Sequence, residues 1–285
     1  MMPSSSAVPC YNQFMLTFAA AVQQSPLPLF TAGLCFAREI AYPGLDIPAT
    51  LLQLDNLEQM ARDASPPTHD DLARGQWLAQ LLFHEWAFQG NFEEYTDPRN
   101  SYLNELLERR RGIPITLSVL YLALAERFAI PATGIGLPGH FIVAVRSQNK
   151  RLLLDPFHRG RELSLPDCAR LVADTSGYTG SFQAEWLTPL APQTILFRML
   201  NNLRLIYLEQ NATELALNVL TQMELLDPHN PVLIRDRGVL HYRRKQYRQA
   251  LFYLDQYARL APGAPDTHWL KQNLGQELTD WVRLN

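Results

Sequence analysis

The sequence has few cysteines, and none of them has metal-binding spacing. There are three, Cys10, Cys35 and Cys168, and they lie far apart along the 285 residues. An odd number of cysteines without a C-x-x-C pair gives no indication of a disulfide framework or of a zinc site. We therefore expect buried, reduced thiols, no metal site and no cofactor.

The chain also lacks a strong charge of one sign and a long hydrophobic run. Its net charge is -3, which gives no indication of nucleic acid or of an anionic membrane as a partner. The most apolar stretch near the start, from Phe14 to Val22, is too short to cross a bilayer. No basic segment precedes it, as one would in a signal peptide. These absences predict a cytoplasmic protein without a membrane segment.

Helical patterns dominate the first part of the chain. Apolar residues recur at helical spacing from Gln13 to about Ser65, which predicts two or three amphipathic helices after a disordered lead-in over 1–12. A long helix is predicted from about Asp70 to near Gly90. Shorter helices are predicted over 102–110, 115–128 and 166–173.

The hydrophobic period changes in the middle of the chain. Three short β-rich runs, 132–137, 141–146 and 151–154, are bounded by turn residues and predict an antiparallel sheet. N-terminal helices, a helix-plus-sheet core and a helical tail together make an α+β fold. We expect one domain over 13–190 and an all-α tail over 191–285.

The tail contains an internal repeat. Leu200, Tyr207, Ala216, Leu220 and Pro228 are followed 34 residues later by residues of comparable character, Ile234, His241, Ala250, Leu254 and Pro262. The pair Leu203 and Arg237 departs from this likeness. Such a period, with small alanines in the second helix and a proline after it, is typical of the tetratricopeptide repeat. A last helix over 265–282 would cap the stack, and we expect a protein or peptide partner on the repeats.

Three short motifs indicate where a site lies. Arg111–Pro114 opens a helix, His140 stands at the start of a strand, and Asp155 ends the next strand. A histidine and an aspartate in these places can lie side by side, so that the carboxylate orients the imidazole through its Nδ1–H. A helix N-terminus facing such a pair is where Cys-His enzymes hold their thiolate, because the helix dipole and the imidazolium lower the thiol pKa.

These motifs resemble those of the transglutaminase-like superfamily, in which the nucleophile follows an Arg-Gly-x segment and His and Asp follow on strands. His140 and Asp155 fall at the family positions, whereas the position of the nucleophilic cysteine is Pro114, which has no side-chain nucleophile. The sequence further resembles the SirB-type subgroup, which joins such a domain to tetratricopeptide-like helices and has Gly-Ile-Pro at the same point. This resemblance implies a papain-type core and a loose association with regulation. The residues that carry it are Asn91, Tyr95, Asn100, Ser101, Arg110–Ile115, Pro138–Phe141 and Asp155–Phe157.

The candidate ligand-binding residues are Asn91, Asn100, Arg111, Ser118 and His140, with His140 and Asp155 also forming a vestigial catalytic pair. Each also has a plain structural explanation. Asp155 before a proline suits a turn, asparagines organise loops, and an arginine run suits a solvated helix end. If Arg111 instead faces the cleft, it can bind a small anionic ligand together with free N–H groups at a helix start.

Loss of the thiol with retention of His140 and Asp155 predicts a catalytically degenerate protein that acts as a binding or regulatory adaptor. The alternative from another class is a hydrolase or acyltransferase, with Ser118 or Thr116 as nucleophile, His140 as base and Asp155 as orienting group. A third alternative is that the core is only a scaffold and the tail carries the function.

Overall fold

The computed structural model describes residues 16–65, 70–148 and 150–266. The chain divides into two compact units, Met1–Met199 and Leu200–Asn285. The lead-in predicted over 1–12 lies outside the described residues, as do all but the first two residues of the helix predicted over 265–282. The finer domain limits, 13–190 and 191–285, stay a prediction.

Helices make up most of the first unit, and local sequence explains where several of them begin. In chain order they are α1 (Phe18–Val22), α2 (Leu29–Ile40), α3 (Ile47–Asp63), α4 (Asp71–Gln80), α5 (Leu103–Arg109), α6 (Pro114–Arg127), α7 (Leu165–Ser176) and α8 (Pro192–Glu209), and the division between the units falls within α8. Asp46 caps α3 by accepting a hydrogen bond from Ala49 N–H at 3.0 Å. Ser164 and Asp167 form a capping box at the start of α7.

The long helix predicted from about Asp70 to near Gly90 is wrong in its second half. α4 ends at Gln80, a π-helical turn follows over Leu81–Glu85, and Ala87 has φ +56°. Gly90 then enters a short strand, where a Cβ would lie 2.6 Å from the ring of Phe157. Tertiary packing has therefore overridden the local helical pattern.

The strands form two sheets. They are β1 (Gln89–Gly90), β2 (Arg111–Gly112), β3 (Ala132–Ile135), β4 (Ile142–Ser147), β5 (Lys150–Asp155) and β6 (Arg161–Glu162). β1 and β2 pair in parallel, and β3–β4–β5–β6 form an antiparallel sheet in chain order. The three predicted strands and their antiparallel pairing are confirmed, and the fold is α+β as predicted. β6 was missed because two residues carry no periodic signal.

The four-stranded sheet lies between helices. Ile142 and Ala144 of β4 pack with Cys168 and Val172 of α7 in one apolar cluster. Side chains alternate along a strand, so Val145 points to the other face. There β4 packs against α4 and α6. The sheet therefore has apolar cover on both faces, and its polar groups gather where the strands end.

The second unit has the helical hairpins that the repeat predicted. After α8 come α9 (Thr213–Leu226), α10 (Pro231–Arg243) and α11 (Tyr247–Leu260). Ala216 and Ala250 are fully buried, and Pro228 and Pro262 follow the ends of α9 and α11. A Cβ at Gly238 would lie 2.9 Å from the Leu254 side chain, so α10 and α11 approach closely. No helix among the described residues is long and apolar enough to cross a membrane.

Candidate functional site

The turn before β4 sets the position of His140. Gly139 has φ +72°, and a Cβ there would lie 2.7 Å from Thr175 Oγ1 and 2.8 Å from a backbone carbon of Thr175. Glycine is therefore needed for both conformation and space. Arg198 donates hydrogen bonds to the carbonyl oxygens of Leu137 and His140, each at 3.1 Å. These contacts hold the backbone of His140 at the entrance to β4.

His140 and Asp155 meet at the end of the sheet. Val143 pairs with Leu154, which brings the start of β4 beside the last residue of β5. His140 Nε2 lies 3.0 Å from Asp155 Oδ1, and both side chains are buried. The expected contact through Nδ1 is wrong, because strand pairing brings the residues together but does not set the rotation of the ring. Within the described residues, Nδ1 of His140 has no hydrogen-bond partner.

Asp155 is the centre of this polar cluster. Its Oδ1 also accepts hydrogen bonds from the N–H groups of Phe157 at 3.1 Å and His158 at 3.4 Å, while its Oδ2 lies 2.7 Å from His158 Nδ1. Burial by itself would raise the pKa of this carboxyl. Hydrogen bonds from the two imidazoles outweigh burial and hold the pKa of Asp155 well below its ordinary value. The site therefore contains a buried carboxylate, not a neutral acid.

His158 is a member of the site that the sequence analysis missed. Its side chain is 42% exposed, and its hydrogen bond to Asp155 raises its pKa above the ordinary value, against the effect of burial. The turn that carries it is closed by a hydrogen bond from Gly160 N–H to Asp155 O at 2.8 Å. A histidine three residues after a strand-end aspartate was the signal that could have identified it. The donor atoms of His140, Asp155 and His158 all lie within 4.8 Å of one another, so these residues could hold a metal.

The start of α6 offers no free nucleophile. Pro114 is its first residue, where a missing N–H costs nothing. Thr116 Oγ1 accepts from a backbone N–H at 3.1 Å and donates to Asn100 O at 2.8 Å, and Ser118 Oγ donates to Pro114 O at 2.8 Å. Across the described residues, neither hydroxyl is hydrogen bonded to His140. These bonds weigh against the hydrolase or acyltransferase alternative, which needs a base in contact with the hydroxyl.

The two described cysteines do not have the properties of a catalytic thiol. Both are buried, and burial raises the pKa of Cys35 to about 12 and that of Cys168 to about 11. Cys35 donates a hydrogen bond to Leu16 O at 3.2 Å. Both thiols are therefore protonated at neutral pH, as structural cysteines are.

Asn91 and Asn100 organise the loop between β1 and α5. Asn91 Nδ2 donates to Asn100 Oδ1 at 3.1 Å, and Asn91 Oδ1 accepts from Glu94 N–H at 3.2 Å. Asn100 Nδ2 donates to Glu94 O at 2.6 Å. Both side chains are buried, and their amides are used within the loop. Their role as ligand contacts stays a prediction, and this geometry favours loop positioning instead.

The same loop presents two aromatic rings beside the polar cluster. Phe92 and Tyr95 are 62% and 47% exposed. The ring centroid of Phe157 lies 4.4 Å from that of Phe92, 5.8 Å from that of Tyr95 and 6.0 Å from that of His140. Phe92 is also 5.4 Å from the His158 ring. Exposed aromatic side chains next to a buried polar group are suited to binding.

The arginine run makes separate contacts. Arg109 lies 3.2 Å from Asp97, Arg110 donates to a backbone carbonyl at 2.9 Å, and Arg111 lies 3.4 Å from Glu93. Arg111 and Glu93 are both exposed, so their ion pair contributes little stability. Arg111 can therefore exchange Glu93 for an external anion at low cost.

A cavity of about 750 Å³ lies between α2, α3 and α6. Its walls include the buried side chains of Leu51, Leu54 and Val119 and the ion pair of Asp55 and Arg127, whose atoms are 2.6 Å apart. The histidines and the aspartate of the polar cluster do not line it. The candidate site is therefore separate from this apolar cavity.

Comparison with protein families agrees with this architecture. Residues 49–201 match the transglutaminase-like superfamily, and residues 203–275 match the tetratricopeptide repeat. The chain belongs to the transglutaminase-like superfamily. The matched part contains Pro114 and all three members of the polar cluster.

Named relatives share most of this transglutaminase-like chain. The UPF0162 protein of Xylella fastidiosa (strain Temecula1) is 33% identical over 260 residues, covering 90% of this chain and 92% of the relative. The UPF0162 protein of Vibrio cholerae is 28% identical over 221 residues, covering 77% and 82%. The crystal structure of menin superposes with a TM-score of 0.40 and 12% identity over 95% of this chain and 78% of menin. That last likeness is too low to support an inference.

Proposed function

We propose that this protein is a catalytically degenerate transglutaminase-like protein of the SirB type that acts as a binding or regulatory adaptor. The observation that carries the proposal is that Pro114 begins α6, at the position that the motif resemblance assigns to the nucleophile. In this proposal the buried pair of His140 and Asp155 is a remnant of the catalytic site. The domain over 13–190 holds the cleft, and the tail over 191–285 holds a protein or peptide partner.

Features around the polar cluster support a binding role for the cleft. Within the described residues Nδ1 of His140 has no hydrogen-bond partner, since Asp155 contacts Nε2, so it could accept a hydrogen bond from a ligand. Phe92 and Tyr95 supply exposed apolar area beside it, and Arg111 supplies an exposed cation. A small anionic molecule or an acidic peptide with an apolar group would match this combination.

The class of repeat supports a binding role for the tail. Arg204 is paired with the buried carboxylate of Asp236, and Arg237 lies 2.7 Å from Glu224, so ion pairs join its helices. Phe252 on α11 is exposed. Repeat stacks of this class present extended surfaces to protein partners.

The test is an assay for amide hydrolysis and acyl transfer with the full-length chain. We expect the same background rate from the wild type and from His140→Ala on ester, amide and glutamine-plus-amine substrates. His229→Ala is the matched control, because His229 is an exposed histidine in the second unit. Turnover above background that is lost in His140→Ala and kept in His229→Ala would overturn the proposal.

A further inference from the structure

We infer that His140, Asp155 and His158 bind a single divalent transition-metal ion of the zinc class. The metal site lies in the same cleft as the proposed function, and the inference rests on that function only for this location. Metal binding is measured without reference to a partner or to turnover, so the two proposals can fail separately.

The donor atoms converge from positions that the backbone fixes. His140 follows the Gly139 turn, Asp155 ends β5, and His158 lies on the turn that joins β5 to β6. Nε2 of His140 lies 3.0 Å from Oδ1 of Asp155, and Nδ1 of His158 lies 2.7 Å from Oδ2. All three donor atoms lie within 4.8 Å of one another. Ordered backbone on each side means that little conformational entropy would be lost on binding.

The distances suit a small ion after a modest movement. A tetrahedral zinc ion with bonds of about 2.0–2.2 Å needs donor atoms roughly 3.4 Å apart. Each imidazole would move back from the carboxylate by about half an ångström, and its remaining proton would lie on the other ring nitrogen, so that a lone pair faces the ion. The most widely separated donor atoms, which now lie within 4.8 Å of one another, would also draw together toward that spacing.

The buried charge of Asp155 is balanced by two histidines and not by a lysine or an arginine. This carboxylate is 1% exposed, yet within the described residues no lysine or arginine side chain pairs with it. Arg161, its neighbour across the sheet, pairs instead with Asp167 at 2.7 Å. A buried anion normally has a cation beside it. Two imidazoles in that place are also side chains that zinc and similar transition-metal ions bind well.

Groups outside the cluster hold its members in place, as the outer contacts of metal sites hold metal ligands. Phe157 N–H donates to Oδ1 of Asp155 at 3.1 Å, and Arg198 holds the carbonyl oxygen of His140 at 3.1 Å. Such outer contacts fix the orientation of metal ligands and support affinity. The cluster therefore has both a set of ligands and a supporting frame.

A catalytic remnant alone does not explain His158. A Cys-His-Asp arrangement needs one imidazole on the carboxylate, and His140 already supplies it. His158 takes the second carboxylate oxygen and is 42% exposed, which gives an ion a route from solvent to the buried donors. The second histidine is therefore the feature that distinguishes a metal site from a vestigial triad.

Two imidazole nitrogens and one carboxylate oxygen favour Zn²⁺ or Co²⁺ over Mg²⁺ or Ca²⁺, which prefer oxygen ligands throughout. Three protein ligands leave a coordination position for water or for an anionic ligand. The exposed rings of Phe92 and Tyr95 lie next to that position.

The experiment titrates the chelator-stripped full-length chain with Zn²⁺ in competition with a chromophoric chelator. We expect one equivalent to bind, with His158→Ala and Asp155→Asn each weakening affinity by at least tenfold to about a hundredfold. His229→Ala, which removes an exposed histidine of the second unit, should bind as the wild type does. Co²⁺ should give the visible absorption bands of a four-coordinate site in the wild type and lose them in His158→Ala.

His158→Asn separates the loss of a metal ligand from the loss of the fold. Its amide can still donate to Asp155, so it should keep the fold but lose most of the zinc affinity. Absence of saturable binding in the wild type would overturn the inference. So would an affinity that His158→Asn and Asp155→Asn leave unchanged. Zinc binding together with turnover that needs His140 would uphold this inference and overturn the adaptor proposal.

Discussion

The two ends of the candidate site use their polar groups differently. At the start of α6, the hydroxyls of Thr116 and Ser118 are bonded to backbone carbonyls nearby. That end has the contacts of an ordinary helix N-terminus. At the end of the sheet, Asp155 collects hydrogen bonds from two imidazoles and two backbone N–H groups although it is buried. Such a cluster is costly to assemble unless each member is satisfied.

On the proposed function, the site has lost its nucleophile at the start of α6 while the polar cluster at the sheet end is kept. Pro114 suits the first position of α6, so a proline there carries no cost to the fold. Asp155 cannot be removed without leaving His140 buried and unpaired. Substitutions at the sheet end should therefore cost stability, whereas those at the α6 end should cost little.

The largest loss is expected from Asp155→Ala. Removing one partner of a buried, hydrogen-bonded pair typically costs about 3–5 kcal/mol. Urea unfolding of this variant measures the change in the free energy of unfolding. Asp174→Ala, at an exposed aspartate on α7, is the control and should stay within about 0.5 kcal/mol of the wild type. A loss below about 1 kcal/mol for Asp155→Ala would erase the contrast between the two ends.

A smaller loss is expected from Gly139→Ala, and Gly177→Ala is its matched control. Both glycines have positive φ, +72° and +69°, but a Cβ at Gly177 meets nothing within 4 Å, whereas at Gly139 it meets Thr175. Gly177→Ala should cost about 1–2 kcal/mol from backbone strain alone. Gly139→Ala should cost at least about 1 kcal/mol more, because it also overpacks the turn that positions His140. Equal losses of the two variants in thermal or urea unfolding would show that the close packing of Gly139 against Thr175 does not contribute to stability.

The smallest effect is expected from Ser118→Ala. This hydroxyl donates to Pro114 O four residues earlier, a bond that contributes little to a helix. The free energy of unfolding should change by less than about 1 kcal/mol. NMR signals of the His140 ring should not move, since the hydroxyl makes no hydrogen bond to it within the described residues. A shift of those signals would revive Ser118 as a partner of His140.

Local signals account for the features that the sequence predicted well. α5, α6 and α7 lie close to their predicted bounds, because caps, prolines and apolar spacing mark their ends. The meeting of His140 and Asp155 followed from placing them at adjacent ends of paired strands. The repeat period predicted the helical hairpins of the tail.

Features that depend on side-chain contacts in loops and turns were not predicted. Gly90, near which the long helix was predicted to end, instead pairs in β1 and lies close to Phe157, which is far along the chain. The amides of Asn91 and Asn100 are used within their own loop, although residue type alone suggested ligand contacts. His158 joins the site through a turn whose geometry has no periodic signal. Side-chain partners of this kind follow from loop geometry and packing, not from hydrophobic periodicity.

The most direct test restores the missing nucleophile with Pro114→Cys in the chelator-stripped full-length chain. The rate of iodoacetamide alkylation at that position is followed against pH by mass spectrometry of the peptide. If His140 and Asp155 are what remains of a thiol-activating site, the pKa of the introduced thiol should fall to about 7 or lower. Adding His140→Ala should return it to about 8.5, the ordinary value for a cysteine. The same thiol pKa with and without His140 would contradict the assignment of Pro114 as the lost nucleophile position.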